Sequence, residues 1–394
     1  MESLRSRVSR SRHELEDRVG PQAVTRAFTW SALPSRVVFA PGAVSRLRDE
    51  VTRLERRRVL LVGGGASTSA SFERARVVLG DFVAGVAGGS TQHVPAGVAD
   101  AAASTAREVN ADIVVSVGGG SPTGLGKVLA ATCDLPLIAV PTTYSGSEMT
   151  AVWGRTTNGR KHTAYDIRVL PRTVIYDPEL CVGMPARLAA ASGMNALAHC
   201  IEALWVPGAN PITTTLAVDG GRMLVDGLPR VVANADDVDA HGANLVGACL
   251  GGLAMAQVGM AIHHRTAHVL GGGWKLSHAE THAVLLPQTT AMVAPRAPEA
   301  MVHAARMLGA EHPADALFTL LQRLKLPVAL SELGMPEDGL DEAAHRVWEA
   351  PQDDPLVREE AAVRQMLDNA YFGRRPPRNS GTDATQRTIL SDAG

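Results

Sequence analysis

The chain has 394 residues, 45% of them hydrophobic and 20% charged, with a net charge of −2 at neutral pH. That composition belongs to a globular chain with apolar residues enough for two domains, and it excludes a disordered or fibrous one. Nearly balanced charge gives no electrostatic case for nucleic acid or an anionic membrane and leaves small charged substrates open.

Residues 1–26 are rich in arginine and lack the apolar core of a secretory signal, so they read as an N-terminal extension. The stretch 377–394 reads as a matching polar tail. Four cysteines, Cys133, Cys181, Cys200 and Cys249, show no CxxC spacing. They are expected to be reduced thiols of a cytoplasmic protein. No apolar run reaches membrane-spanning length.

Residues 27–178 alternate short β-branched runs with helix-like segments. Val37 to Phe39 ends at Pro41-Gly42, and Arg58 to Val62 ends in Gly63-Gly64-Gly65. Asp112 to Val117 ends in Gly118-Gly119-Gly120-Ser121, and Leu135 to Val140 ends in Pro141-Thr142-Thr143. Continuous apolar runs closed by glycine and followed by helix predict a parallel sheet covered on both faces, a Rossmann-like α/β domain.

The second glycine run leads straight into a helical pattern, Thr123 to Ala130. Glycines let a backbone approach a diphosphate, and amides at a helix start point at the anion. Gly119, Gly120 and Ser121 are therefore candidates to hold a dinucleotide pyrophosphate, against the plainer reading of a tight turn without a ligand. The motif is not GxGxxG. The next run ends in Pro141-Thr142-Thr143-Tyr144-Ser145-Gly146-Ser147-Glu148, and hydroxyls at the carboxyl edge of a parallel strand are where such sheets place ligands. Thr142, Thr143 and Ser147 join the cofactor candidates.

From about Asp177 the β-branched runs thin out, and residues 179–376 read as an all-helical domain. Helices are expected over Pro185 to Leu204, Thr214 to Leu228, Ala243 to His263 and Ala314 to Leu324. Val206 to Pro211 reads as a loop, and Gly227-Leu228-Pro229 reads as a helix stop.

Five of the thirteen histidines, His263, His264, His268, His278 and His282, crowd one short region. His264 and His268 are four apart, as are His278 and His282 and the pair Asn195 and His199 upstream. On a helix that spacing puts each pair on one face. A single buried histidine is ordinarily a hydrogen-bonded core residue. A cluster in a Gly- and Ala-rich surround needs polar partners, and a metal or a polar substrate is the simplest supply.

These phrases in this order resemble the iron-containing (group III) alcohol dehydrogenase family over about residues 30–376. The likeness rests on Gly118 to Pro122, Pro141 to Thr143, Gly146 to Glu148, His199, His264, Ala267 to Gly272 and His278. Within that family, Pro141 to Thr150, Ser192 to His199, His263-His264-Arg265 and Ser277 to His282 are similar to the maleylacetate reductases. The resemblance implies the dehydroquinate synthase-like fold of that family, with the active site between its two domains.

It also implies NADH or NADPH as cofactor, with Lys161 added to the cofactor set. The implied reaction is reduction of 2-maleylacetate to 3-oxoadipate in the breakdown of aromatic compounds. His264 and His278 are assigned to the reacting oxygen, with His199 and His268 orienting substrate or each other. Asn195, Tyr144, His263 and Arg265 are assigned to substrate, and Arg265 and Lys275 are the candidate cations for its two carboxylates. The resemblance further suggests a homodimer. A metal-dependent alcohol or aldehyde dehydrogenase and a non-catalytic dinucleotide-binding homologue are the alternatives.

Three positions depart from the family pattern. Asn195 stands where metal-dependent members keep an aspartate beside three histidine ligands, here His199, His264 and His278. A neutral amide weakens that set's hold on iron or zinc. Gly63 stands where NAD-preferring relatives often place an acidic residue, which leaves NADPH open. Ala164-Tyr165-Asp166 replaces an expected Gly-Arg-Asp.

Overall fold

The computed structural model describes residues 28–33, 35–63, 69–89, 94–157, 160–350 and 354–378; the expected extension and most of the tail lie outside them. Among the described residues eight strands form: β1 (Arg36–Phe39), β2 (Val59–Val62), β3 (Val83–Ala87), β4 (Ile113–Gly118), β5 (Leu137–Pro141), β6 (Val152–Thr157), β7 (Arg160–Tyr165) and β8 (Thr173–Tyr176). Six of them make one sheet in the order β1-β8-β5-β4-β2-β3. Every pairing in it is parallel.

The sheet is parallel because its central strands have no polar face to offer water. In β2, Val59 and Leu61 enter one apolar core while Leu60 and Val62 enter the other. The first core is closed by α1 (Leu47–Arg53) and α2 (Ser69–Leu79), the second by α3 (Ala96–Glu108) and α4 (Gly120–Cys133). Each such fully buried Val or Leu contributes about 1.5–3 kcal/mol relative to exposure. Strands β6 and β7 form a separate antiparallel hairpin that the sequence pattern did not announce.

The remaining helices are α5 (Ala186–Glu202), α6 (Pro211–Ala233), α7 (Val238–Val258), α8 (Ile262–Trp274), α9 (His278–Val293), α10 (Pro298–Leu308), α11 (Pro313–Arg323), α12 (Leu340–Glu349) and α13 (Glu360–Tyr371). Helix α6 starts where the expected loop ends, with Pro211 in its first turn and Asn210 and Thr213 forming a reciprocal cap. Among the described residues no single helix is long and apolar enough to cross a membrane.

Two helix boundaries differ from expectation. Pro229 does not stop α6, which continues to Ala233. Proline removes one backbone donor, but Leu224, Leu228 and Val231 bury one face of that turn, and Asn234 N–H closes it on the Arg230 carbonyl at 2.8 Å. The stretch Ala243 to His263 is not one helix. Gly259, at φ 83°, takes the backbone out of α7, and α8 sets off bent by 100°. That bend turns the first residues of α8 toward α5.

Candidate active site

Strand β4 ends at Gly118, whose φ of 139° favours glycine, and the chain enters α4 at Gly120. The Thr142 N–H reaches the Gly118 carbonyl at 3.0 Å. A Cβ on Gly119 would lie 3.0 Å from Thr143 Oγ1, and one on Gly120 3.7 Å from Ser145 Cβ. The turn after β4 and the loop after β5 therefore lie side by side at the carboxyl edge of the sheet. Gly119, Gly120, Ser121, Thr142 and Thr143 are brought together there, at the start of a 14-residue helix whose first amides and dipole suit an anion.

The second loop is locked from below by groups that sequence reasoning missed. Lys127, enclosed in α4, donates to the Ser147 carbonyl at 2.6 Å, Thr150 Oγ1 at 3.0 Å and the Val152 carbonyl at 2.9 Å. Burial brings its ammonium down to about 7, partly offset by the Glu148 charge. Glu148, equally buried, accepts from Tyr176 at 2.8 Å and from Ser145 Oγ at 3.2 Å. Burial raises its carboxyl above the usual range despite those bonds. Ser147 is thus engaged with Lys127 through its carbonyl. An apolar-looking helix with one lysine gave little warning of this network.

Three helices supply the histidines: α5 carries Asn195, His199 and Glu202, α8 carries His263, His264 and His268, and α9 carries His278 and His282. The rings of His199 and His264 stack at 4.9 Å between centroids, His268 and His278 at 5.8 Å, and His282 lies 4.6 Å from both His264 and His278. The Gly146 loop joins this cluster to the dinucleotide edge. A Cβ on Gly146 would lie 2.9 Å from His199 Nδ1, and Asn195 Nδ2 approaches the Ser145 carbonyl at 3.5 Å.

Glu202 was not foreseen, although it stands one turn after His199 on the same face. Its carboxylate accepts His264 Nδ1–H at 2.5 Å and the His263 backbone N–H at 2.7 Å, with no exposed surface. Burial alone would raise its carboxyl, but the His264 ring and its hydrogen bond hold it below the usual range. Burial, followed by the neighbouring rings of His264, His263 and His278, holds His199 well below the ordinary histidine value. Burial and the same crowd of rings do likewise for His282.

Two substrate assignments change. His263 is fully enclosed, with Nδ1 bonded to Thr289 Oγ1 at 3.0 Å and Nε2 to His282 Nδ1 at 2.9 Å, so neither nitrogen is left for substrate. Tyr144 packs in the apolar core beside Val174 and Tyr176, and its hydroxyl is 2.5 Å from His241 Nδ1. Arg265 is half-buried, and its Nη1 has no hydrogen-bond partner among the described residues. Burial lowers its guanidinium, opposed by the charges of Asp354 and Glu202. Lys275 is an exposed left-handed residue just past α8. The side chain of Lys161 lies outside the described residues.

Four buried polar atoms in the cluster have no partner among the described residues: Asn195 Oδ1, His199 Nδ1, His264 Nε2 and His282 Nε2. Enclosed acceptors of this kind are costly unless a ligand meets them. For the family's divalent metal the donors at Asn195, His199 and His264 fit in kind, and Glu202 supplies the carboxylate behind a ligating imidazole. The set is electrically neutral, however, which lowers its affinity.

A parallel sheet with a glycine-closed turn at its carboxyl edge, facing a helical domain that presents imidazoles, is the architecture of a two-domain oxidoreductase. The chain belongs to the iron-containing alcohol dehydrogenase family. The family's model matches residues 34–178, and that of its C-terminal part matches residues 189–371. The chain is 43% identical over 350 residues to the maleylacetate reductase of Burkholderia cepacia, spanning 89% of this chain and 99% of that one. Among solved structures it is similar to maleylacetate reductase from Agrobacterium tumefaciens, with TM-score 0.85 and 40% identity over 89% of this chain and 100% of that one. It is similar also to the maleylacetate reductase of a Rhizobium strain, with TM-score 0.84 and 39% identity over the same shares.

Proposed function

We propose that the chain reduces the activated carbon–carbon double bond of 2-maleylacetate with NADH or NADPH, giving 3-oxoadipate in the breakdown of aromatic compounds. The observation that carries this is the bare, buried Nε2 of His264, backed by Glu202 and joined through the Ser145–Gly146 loop to the glycine turn after β4. Full-length likeness to maleylacetate reductases supports the substrate.

A reduced nicotinamide dinucleotide held by Gly119, Gly120, Ser121, Thr142 and Thr143 would supply hydride to one alkene carbon, which places negative charge on the conjugated ketone oxygen. His264 in its protonated form and His278 donate hydrogen bonds to that oxygen, and one of them delivers the single proton that completes the reduction. Glu202 fixes His264 by holding its Nδ1–H and balances the charge when the ring is protonated. His199 and His268 keep these rings in place by stacking on them. Arg265 is the proposed partner for a substrate carboxylate. A divalent ion held by Asn195, His199, His264 and His278 would supply Lewis-acid polarisation of the same oxygen.

The cysteines of the chain are free, which fits the reducing cytoplasm. The outer edge of β1, unpaired among the described residues and with Val37 and Phe39 exposed, is the surface proposed for a second copy in a homodimer. The test is to follow NADH and NADPH absorbance with maleylacetate, with and without chelator. Consumption of either that chelator does not slow is the expected result. Turnover of simple aldehydes with no oxidation by maleylacetate would overturn the reading.

A further inference from the structure

A chain of hydrogen bonds fixes the protonation of the deepest ring in the cluster. Thr289 Oγ1 lies 3.1 Å and 3.2 Å from the carbonyls of Leu285 and Leu286, where its only proton goes. It therefore accepts Nδ1–H of His263. His263, fully enclosed with no charged partner on either nitrogen, keeps its one proton on Nδ1, so its Nε2 accepts Nδ1–H of His282. The remaining nitrogen of His282, Nε2, carries a bare lone pair with no partner among the described residues.

Other imidazoles lie close to that lone pair. Among the described residues, two sets of three bring ligand atoms within 4.8 Å of one another: His263, His264 and His282, and His268, His278 and His282. The first is closed, because both nitrogens of His263 and one of His264 are already spent on Thr289, His282 and Glu202. The second keeps His282 aimed from α9 by the His263 relay, the arrangement that ordinarily stands behind a metal-ligating histidine.

We propose that His268, His278 and His282 form a second cation site, sharing only His278 with the set of Asn195, His199, His264 and His278, and suited to zinc or cobalt. Three neutral imidazoles without a carboxylate select borderline transition ions over magnesium or calcium. Three histidines leave the fourth position of a tetrahedral ion open to water. Metal–nitrogen bonds of about 2.0–2.1 Å put the three nitrogens about 3.4 Å apart. The half-buried rings of His268 and His278 close that gap against the fixed ring of His282. The site itself does not rest on the reductase reading; one consequence does. An ion there occupies His278, so zinc is expected to inhibit the reduction rather than support it.

The experiment is titration of chelator-stripped full-length protein with Co2+ and Zn2+ in the absence of substrate, read by the visible band of four-coordinate cobalt and by calorimetry. One ion per chain is expected, with affinity lowered about 10–100-fold or more in His268→Asn and in His282→Asn. His199→Ala, which disables the other set, leaves binding unchanged. His268 is half-buried, so its variant remains informative if His282→Asn fails to fold. No binding by the wild type, or binding lost in His199→Ala and kept in His268→Asn, would overturn the proposal. Neither result bears on maleylacetate turnover measured in chelator.

Discussion

Glu202 Oε2 sits 2.5 Å from His264 Nδ1 with both groups enclosed, and this one bond decides which nitrogen of His264 is left for a ligand. Glu202→Gln puts an amide where an anion accepts three N–H groups, and it removes the charge that balances a protonated ring. A loss of about 10–100-fold in kcat/KM is expected, in line with other partners that stand behind a reacting histidine. Circular dichroism should show an intact fold. Wild-type activity in the folded variant would remove Glu202 from the mechanism.

Gly146 links the two halves of the site through a close approach. At φ 68° it sits in the left-handed region, and a Cβ there would meet His199 Nδ1 at 2.9 Å and the Ala248 carbonyl at 3.0 Å. Gly146→Ala costs about 1–2 kcal/mol in backbone strain and displaces His199 from its stack on His264. Misplacement of that size is worth about 10²-fold in rate. Steady-state kinetics beside a melting curve separates the two effects, and a variant with unchanged kcat would refute the contact.

Much of this was legible because local chemistry left no alternative. Runs such as Val59 to Val62 closed by glycine can only be buried strands, and the Gly119 turn announces itself. Spacing of four placed His264 beside His268, and Asn195 beside His199, on shared faces. What spacing could not say is which of two adjacent histidines looks into the cleft. His263 and His264 lie about 100° apart around their helix, and the axis is set by the break at Gly259, which reads as one more glycine in a helical run. Tyr144 lies in a loop with no period, so its turn into the core depends on a partner, His241, nearly a hundred residues away.

Lys127 is the tie between the pyrophosphate helix and the loop above it. Lys127→Met removes the ammonium donor from the Ser147 and Val152 carbonyls and Thr150 Oγ1, leaving the Ser147 carbonyl only Thr150 N–H and Oγ1–H, at about 1–3 kcal/mol for the lost buried bonds together. KM for the dinucleotide is expected to rise more than KM for the acceptor. With its ammonium lowered from 10.5 to about 7, the unfolded chain holds a proton across that window that the folded chain does not. Stability therefore gains with rising pH from 7 to 10.5, and the methionine variant should lose that gain in urea titrations. Equal slopes in the two proteins would count against a buried Lys127.

Acid stability follows from the buried rings. His199, His263 and His282 are all lowered from 6.5, so below that pH the unfolded chain binds protons that the folded chain refuses. Stability should fall as pH drops from about 6.5, by up to about 1.4 kcal/mol per pH unit for each ring, until each folded value is reached. Glu148, raised by burial, works in the opposite sense, while His241 and His303, also lowered by burial, add to the three rings. Urea unfolding at pH 7.5, 6 and 5 reads this directly. A level profile over that range would mean that the rings charge in the folded state.

Asn195 sets the charge of the family's metal position. Its Oδ1 is buried without a partner among the described residues, on the same helix face as His199. Asn195→Asp keeps the shape and adds a full negative charge beside His199 and His264, whose other ring nitrogen already leans on Glu202. A carboxylate with three imidazoles is a far stronger donor set for iron or zinc than an amide with the same three. The variant should retain close to one ion per chain through purification, measured by elemental analysis, where the wild type retains much less. Making the change in a His268→Asn background confines binding to this set. If the wild type in that background already holds an ion as tightly as the variant, Asn195 is not what limits the metal.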